Sequence, residues 1–167
     1  GVLVEPASVV AKAWEHISHI GSRARWAASR VLVTGAGPIG LLAALFATRI
    51  GDEAHVLDRA DDGPKPGLVR DLGAVYHHES LDRIEERFDV VMECTGDAEL
   101  MMAVAGVTHP NGVICLAGVT DEGREVMVSS DLARGLVLEN RTVFGTVNAN
   151  RRHYEEAARV LAEANQS

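Results

Sequence analysis

The chain has 167 residues, 47% hydrophobic and 24% charged, with a net charge of −8, an ordinary composition for one globular domain. That acidity leaves no broad basic face for nucleic acid, and no apolar run approaches the length of a membrane span. No secretory signal pattern opens the chain, so a cytoplasmic protein that binds neither nucleic acid nor membrane is expected.

Read in order, Val9–Ile20 is predicted as a helix with the apolar stripe Val9, Val10, Ala13, Trp14 and Ile17, preceded by Pro6 and capped by Ser8. Gly21–Ser29 is a polar connector bearing Arg23 and Arg25, which sets residues 1–28 apart from a unit over 29–167. From Arg30 strands and helices alternate. The strands are predicted at Arg30–Thr34, Glu53–Asp58, Ala74–Tyr76, Phe88–Cys94, Gly112–Ala117 and Thr142–Val147. The intervening helices are predicted at Pro38–Ile50, Gly67–Leu72, Asp97–Val107 and Ser130–Glu139, with at most a short turn at Leu81–Glu86 and an amphipathic helix at Arg151–Ala164. Ser129 and Ser130 read as a helix cap. Continuous apolar strands separated by helices imply a parallel sheet covered on both faces. The expected fold is α/β: a doubly wound parallel sheet of about six strands, the Rossmann fold, preceded by an N-terminal helix.

The chemistry is concentrated at Val31-Leu32-Val33-Thr34-Gly35-Ala36-Gly37-Pro38-Ile39-Gly40. An apolar strand runs into Gly-x-Gly-x-x-Gly and then a helix, the order that a dinucleotide pyrophosphate requires. Gly35 permits the tight turn, Gly37 lets amides approach the phosphates, and Gly40 lets the helix pack on the sheet. Asp58, eighteen residues past Gly40 at the end of the second apolar run, can accept bonds from ribose hydroxyls and repel a 2′-phosphate. Arg59 beside it can cover the adenine or pair with that phosphate. NAD is therefore favoured over NADP, with dual use open. Thr95 and Gly96 after the fourth strand, Ala117, Gly118 and Val119 after the fifth, and Thr146, Val147 and Asn148 after the sixth lie at the carboxyl edge, where open α/β sheets bind ligands. Asn150, Arg151 and Arg152 read as a solvated helix start.

Other chemistry-bearing residues read more plainly. Cys94 and Cys115 lie in apolar runs without zinc-type spacing and read as reduced thiols. His16 with His19, and His77 with His78, supply two ligands each and no third, so they read as surface or half-buried imidazoles. A methyltransferase would also carry a glycine turn and an acid, yet its pattern usually lacks the third, helix-packing glycine.

Several segments resemble the cofactor half of the zinc-dependent medium-chain dehydrogenases: Val4-Glu5-Pro6 before a helix, Val31–Gly40, Glu93-Cys94-Thr95-Gly96, Leu116-Ala117-Gly118-Val119 and Thr146–Arg152. Within that superfamily, Val147-Asn148-Ala149-Asn150-Arg151-Arg152-His153-Tyr154 is similar to the archaeal-type glucose 1-dehydrogenases. The NADP-using members resemble Asn-Arg-Arg where this chain has Asp58-Arg59-Ala60, which adds to the preference for NAD. The resemblance implies hydride transfer from C1 of a sugar, glucose foremost, to the nicotinamide, leaving a lactone. It places the backbone of Ala117–Val119 on the nicotinamide amide, Asn148 between nicotinamide and sugar, and Glu5 in the shell of a zinc that acts as a Lewis acid. The family's catalytic domain, with its Cys, His and Gly-His-Glu motif, has no counterpart here. The chain is accordingly expected to be an excised cofactor-binding domain, without catalytic residues of its own, whose partner is that N-terminal domain. Subunits in this superfamily often pair through the sheet edge, which makes Thr142–Val147 and Gly112–Val119 the edges to inspect for a homo-oligomer, with oligomeric state left open. Another polyol or alcohol dehydrogenase, or a non-catalytic NAD(P)-sensing module, is the rival reading.

Overall fold

A computed structural model describes residues 2–164 except 121, 124 and 129. Six parallel strands form one sheet: β1 (Arg30–Thr34), β2 (Glu53–Leu57), β3 (Val75–His77), β4 (Phe88–Glu93), β5 (Thr108–Leu116) and β6 (Thr142–Gly145). Their order is β3-β2-β1-β4-β5-β6, so the direction of winding reverses between β1 and β4, as expected for two mononucleotide-binding halves. The helices are α1 (Val4–Gly21), α2 (Pro38–Ile50), α3 (Pro64–Asp71), α4 (Ala98–Ala103), α5 (Ser130–Leu138) and α6 (Arg151–Ala164), with 3₁₀ turns at Leu81–Arg83 and Val104–Val107.

The apolar strand runs bury both faces. One face of β1, β2, β4 and β5 (Val31, Val33, Val56, Val90, Met92, Val113, Cys115) packs beneath α1 and α2. The other (Leu32, Leu57, Val91, Ile114) packs with Ile84, Phe88, Val104 and Ala105. Cys115 is buried and Cys94 half-buried, and both are unpaired; burial pushes both thiols up, Cys115 to about 12.

Several predicted boundaries need correction. The N-terminal helix begins at Val4 rather than Val9, with Pro6 in its first turn, where a missing N–H costs nothing. Ser8 is consequently inside the helix, and its hydroxyl donates to the Glu5 carbonyl at 2.6 Å instead of capping. The third helix likewise starts at Pro64 rather than Gly67. The predicted Asp97–Val107 helix is α4 followed by a 3₁₀ turn, with Asp97 as its N-cap, accepting from the amides of Glu99 and Leu100. β5 begins at Thr108, four residues early, and its pairing with β4 slips between Phe88 and Val90. β6 ends at Gly145, so Thr146 and Val147 lie beyond the strand. Ser130 opens α5, and Ser129 lies outside the described residues. Of the two candidate sheet edges, β5 is internal and β6 is the outer strand, with Val143 39% exposed.

Candidate functional site

The carboxyl ends of β1, β2, β4, β5 and β6 line one edge, and the loops that follow them are tied by main-chain bonds to the neighbouring strand. The amide of Gly35 donates to Leu57 O at 2.7 Å, and those of Ala117 and Gly118 to Glu93 O at 2.8 and 2.9 Å. Thr146 donates to Leu116 O at 3.0 Å. Gly35 adopts φ +89°, a left-handed conformation that glycine takes at no steric cost. A Cβ at Gly40 would stand 1.7 Å from the Gly35 carbonyl oxygen, so α2 can approach the strand end only without a side chain there. Gly37, the N-cap of α2, has nothing within 4 Å of its Cβ position. Pro38 has no N–H to satisfy, and the amides of Ile39 and Gly40 open the helix without intrahelical partners. Open space above unpaired amides at a helix N-terminus suits a diphosphate.

Asp58 closes this turn from the β2 side. Its carboxylate accepts from the amide of Ala36 at 2.7 Å and that of Ala60 at 3.1 Å, and the ammonium of Lys65 lies 2.8 Å away. Its side chain is only 12% exposed; burial raises its pKa, but Lys65 and the two amides outweigh that and hold the carboxyl below the usual range. Lys65 is absent from the sequence reading because its loop looked merely solvated. It reaches Asp58 because α3 starts at Pro64. The charge expected to repel a 2′-phosphate therefore carries its own counter-ion, which weakens the argument for NAD over NADP. Arg59 stands 91% exposed with its guanidinium 3.4 Å from Asp97, and Tyr76 anchors the loop by donating to Ala60 O at 2.5 Å.

Glu93 is the second residue whose part was missed. It is fully buried at the end of β4 and accepts from the Thr34 hydroxyl at 3.2 Å, the amides of Thr95 and Gly96 at 2.7 and 3.2 Å, and the Thr95 hydroxyl. Gly118 packs against this knot: a Cβ there would lie 2.2 Å from the Gly96 nitrogen and 2.8 Å from a Glu93 carboxylate oxygen. One buried carboxylate thus fixes the ends of β1 and β4, and the β5 loop packs on it, at the point where the winding reverses. A charged residue inside an apolar strand run was the available signal.

Asn148 follows β6 at the same edge, exposed and at φ +59°, which asparagine tolerates better than most residues. Its segment is held from α1, where Lys12 donates to Val147 O at 2.9 Å. α1 also binds α6: Glu15 accepts from Arg152 at 2.5 Å and lies 3.1 Å from the buried His153 ring. The Arg152 guanidinium, with help from His153, pulls the Glu15 carboxyl down to about 2. Arg152 is therefore an interhelix contact, while Arg151 pairs along its own helix with Glu155.

Glu5 is exposed in the first turn of α1, and among the described residues no group of three or more His, Cys, Asp or Glu side chains could hold a metal ion. These residues do not form a zinc site by themselves. His77 and His78 are half-buried and surface imidazoles as expected, and His77 is also linked: its Nε2 lies 2.8 Å from Nδ1 of the buried His55, in a chain that runs from Glu53 to Glu79.

A family model described as the glucose dehydrogenase C-terminus matches residues 1–167. The chain belongs to this family. Curated relatives of this glucose dehydrogenase family member include a glucose 1-dehydrogenase of Caldivirga maquilingensis, 41% identical over 98% of this chain and 47% of its own length. Another, from Methanocella arvoryzae, is 37% identical over 92% of this chain and 45% of its own. The chain spans about half the length of these relatives. A solved structure of Haloferax mediterranei glucose dehydrogenase in complex with NADP, Zn and gluconolactone superposes with a TM-score of 0.88 at 28% identity, over 98% of this chain and 48% of that one. No described helix is long and apolar enough to cross a membrane.

Proposed function

We propose that this chain is the cofactor-binding half of an NAD(P)-dependent glucose 1-dehydrogenase, working with the catalytic half that its relatives carry. The observation that carries the reading is the open space over Gly37 beside the unpaired amides of Ile39 and Gly40, at the strand ends where the winding reverses. A nicotinamide held here would supply the acceptor for the C1 hydride, while the C1 hydroxyl proton would pass to a base or water of the catalytic half as the sugar becomes the lactone. The chain's own work is positioning, which supplies a large share of such a rate. The turn Gly35–Gly40 holds the diphosphate, and Asp58 holds the adenosine ribose with Arg59 over the adenine. Thr95 and Gly96 line the crevice, the backbone of Ala117, Gly118 and Val119 orients the carboxamide, and Thr146, Val147 and Asn148 border the nicotinamide. Asn148 is the residue that touches the sugar. The two unpaired, proton-holding thiols suit a reducing cytoplasm.

Lys65 suits the chain to both cofactors, because it neutralises Asp58 and offers an ammonium to a 2′-phosphate on a ribose held there. Calorimetric titration of the full chain with NAD and NADP tests this. Both should bind; Lys65→Met should weaken NADP by roughly tenfold more than NAD, the worth of one charge-assisted bond. Asp58→Ala should shift preference the other way. If neither nucleotide binds, the functional reading fails; if both variants lose the two cofactors equally, the Asp58–Lys65 pair does not read the ribose.

A further inference from the structure

At the opposite edge of the sheet, a cavity of about 430 Å³ opens between the Val104–Val107 turn, α5 and the start of β6. Among the described residues, Met102, Leu132 and Leu138 give it an apolar lining, and Arg87, Arg134 and Arg141 share it with one carboxylate, Glu139. That excess of cations is notable in a chain of net charge −8.

Arg141 is built in rather than solvated. Its side chain is 6% exposed, one guanidinium nitrogen bonds Glu139 at 2.5 Å, and Nε is buried without a partner. Gly135, inside α5, makes the room: a Cβ there would come within 2.8 Å of Nη1. A glycine in a helix interior is unfavourable, and it is explained if the Nη1 side of the guanidinium is meant for a ligand. The turn that presents it is fixed beforehand. The amide of Asn111 donates to Glu139 O at 2.7 Å, and Arg23 Nη2 donates to Asn140 O at 2.5 Å.

We propose that this cavity binds a small organic phosphate. Guanidinium forks match phosphate oxygens, the excess positive charge matches a phosphate monoester dianion, and the lining takes an apolar body. The volume lies within the ordinary range for small-molecule sites. The site is separate from the nucleotide crevice, so its failure would leave the functional reading intact.

The probe is phenyl phosphate, titrated into the ¹⁵N-labelled full chain and followed by amide chemical shifts, with inorganic phosphate, benzoate and phenol as comparisons. The amides of Gly106, Gly135 and Arg141 should move while those of Gly37 and Ile39 stay. Phenyl phosphate should bind more tightly than inorganic phosphate or benzoate, and phenol should not bind. Arg141→Met and the exposed-site variant Arg134→Gln should each weaken it by roughly tenfold to a hundredfold, with amide spectra elsewhere unchanged. Absent shifts at those three amides, binding by phenol as tight as by phenyl phosphate, or full affinity in Arg134→Gln would overturn the proposal. Benzoate binding as well as phenyl phosphate would overturn the assignment to phosphate.

Discussion

Gly37 and Gly40 stand three residues apart in one turn and answer to different constraints. A methyl group at Gly37 enters open space, so Gly37→Ala should cost at most about 1 kcal/mol of stability, the scale of a helix-cap change. On the proposed role it should still weaken nucleotide binding by roughly tenfold or more, because the methyl enters the space assigned to the diphosphate. Gly40→Ala drives a methyl into the Gly35 carbonyl and should cost roughly 3 kcal/mol or more, or prevent folding. Thermal denaturation with calorimetry checks both; a Gly40→Ala protein as stable as the parent would refute the packing role. The tight packing at Gly40 was legible because the motif is local and each glycine acts within its own turn. Lys65 and Glu93 were not legible, since their meaning lies in partners supplied by other elements. Glu93 gathers groups from β1 and from the turn after β4, and no spacing along the chain announces that.

Among the elements, the strand–helix alternation was readable from unbroken apolar runs, and Arg30–Thr34, Pro38–Ile50 and Arg151–Ala164 match their predicted bounds. The two misplaced helix starts share a cause. Pro6 and Pro64 stand ahead of the predicted starts, yet both sit in a first helical turn, where proline is tolerated. What the sequence concealed was how α1 joins the sheet domain, because Glu15, Arg152 and His153 come together across most of the chain. Glu15→Gln removes the charge that Arg152 and His153 share. Amide hydrogen exchange should accelerate in α1 and α6 and in the segment around Asn148, while β1 and β4 stay protected. Uniform acceleration through the sheet, or none in α6, would show that this contact does not hold the helix.

For the whole molecule, protonation sets the acid limit of stability. Burial lowers the pKa of His55, partly opposed by Glu53 and Glu86 and reinforced by His77, so folding favours the neutral ring. A folded-state pKa below the unfolded value of about 6.5 means that stability is full above that pH and falls as protons are added. The carboxyls of Asp58 and Glu15 are also held low, and their contribution is lost only further down, as pH drops below about 4. Melting temperature followed from about pH 7 to about pH 5 should therefore decline, and His55→Leu should flatten that limb relative to the parent. An identical slope in the two proteins would remove His55 from the balance. Two positions along the same carboxyl edge also differ in how they tolerate change. Glu93 is enclosed where several strand ends meet, whereas the Asp58–Lys65 pair belongs to a rim outside the packed layers. On the proposed reading, preference among nucleotides is then an interchangeable fitting: rim residues can be exchanged to retune it while the keystone carboxylate and the strand ends it joins stay as they are.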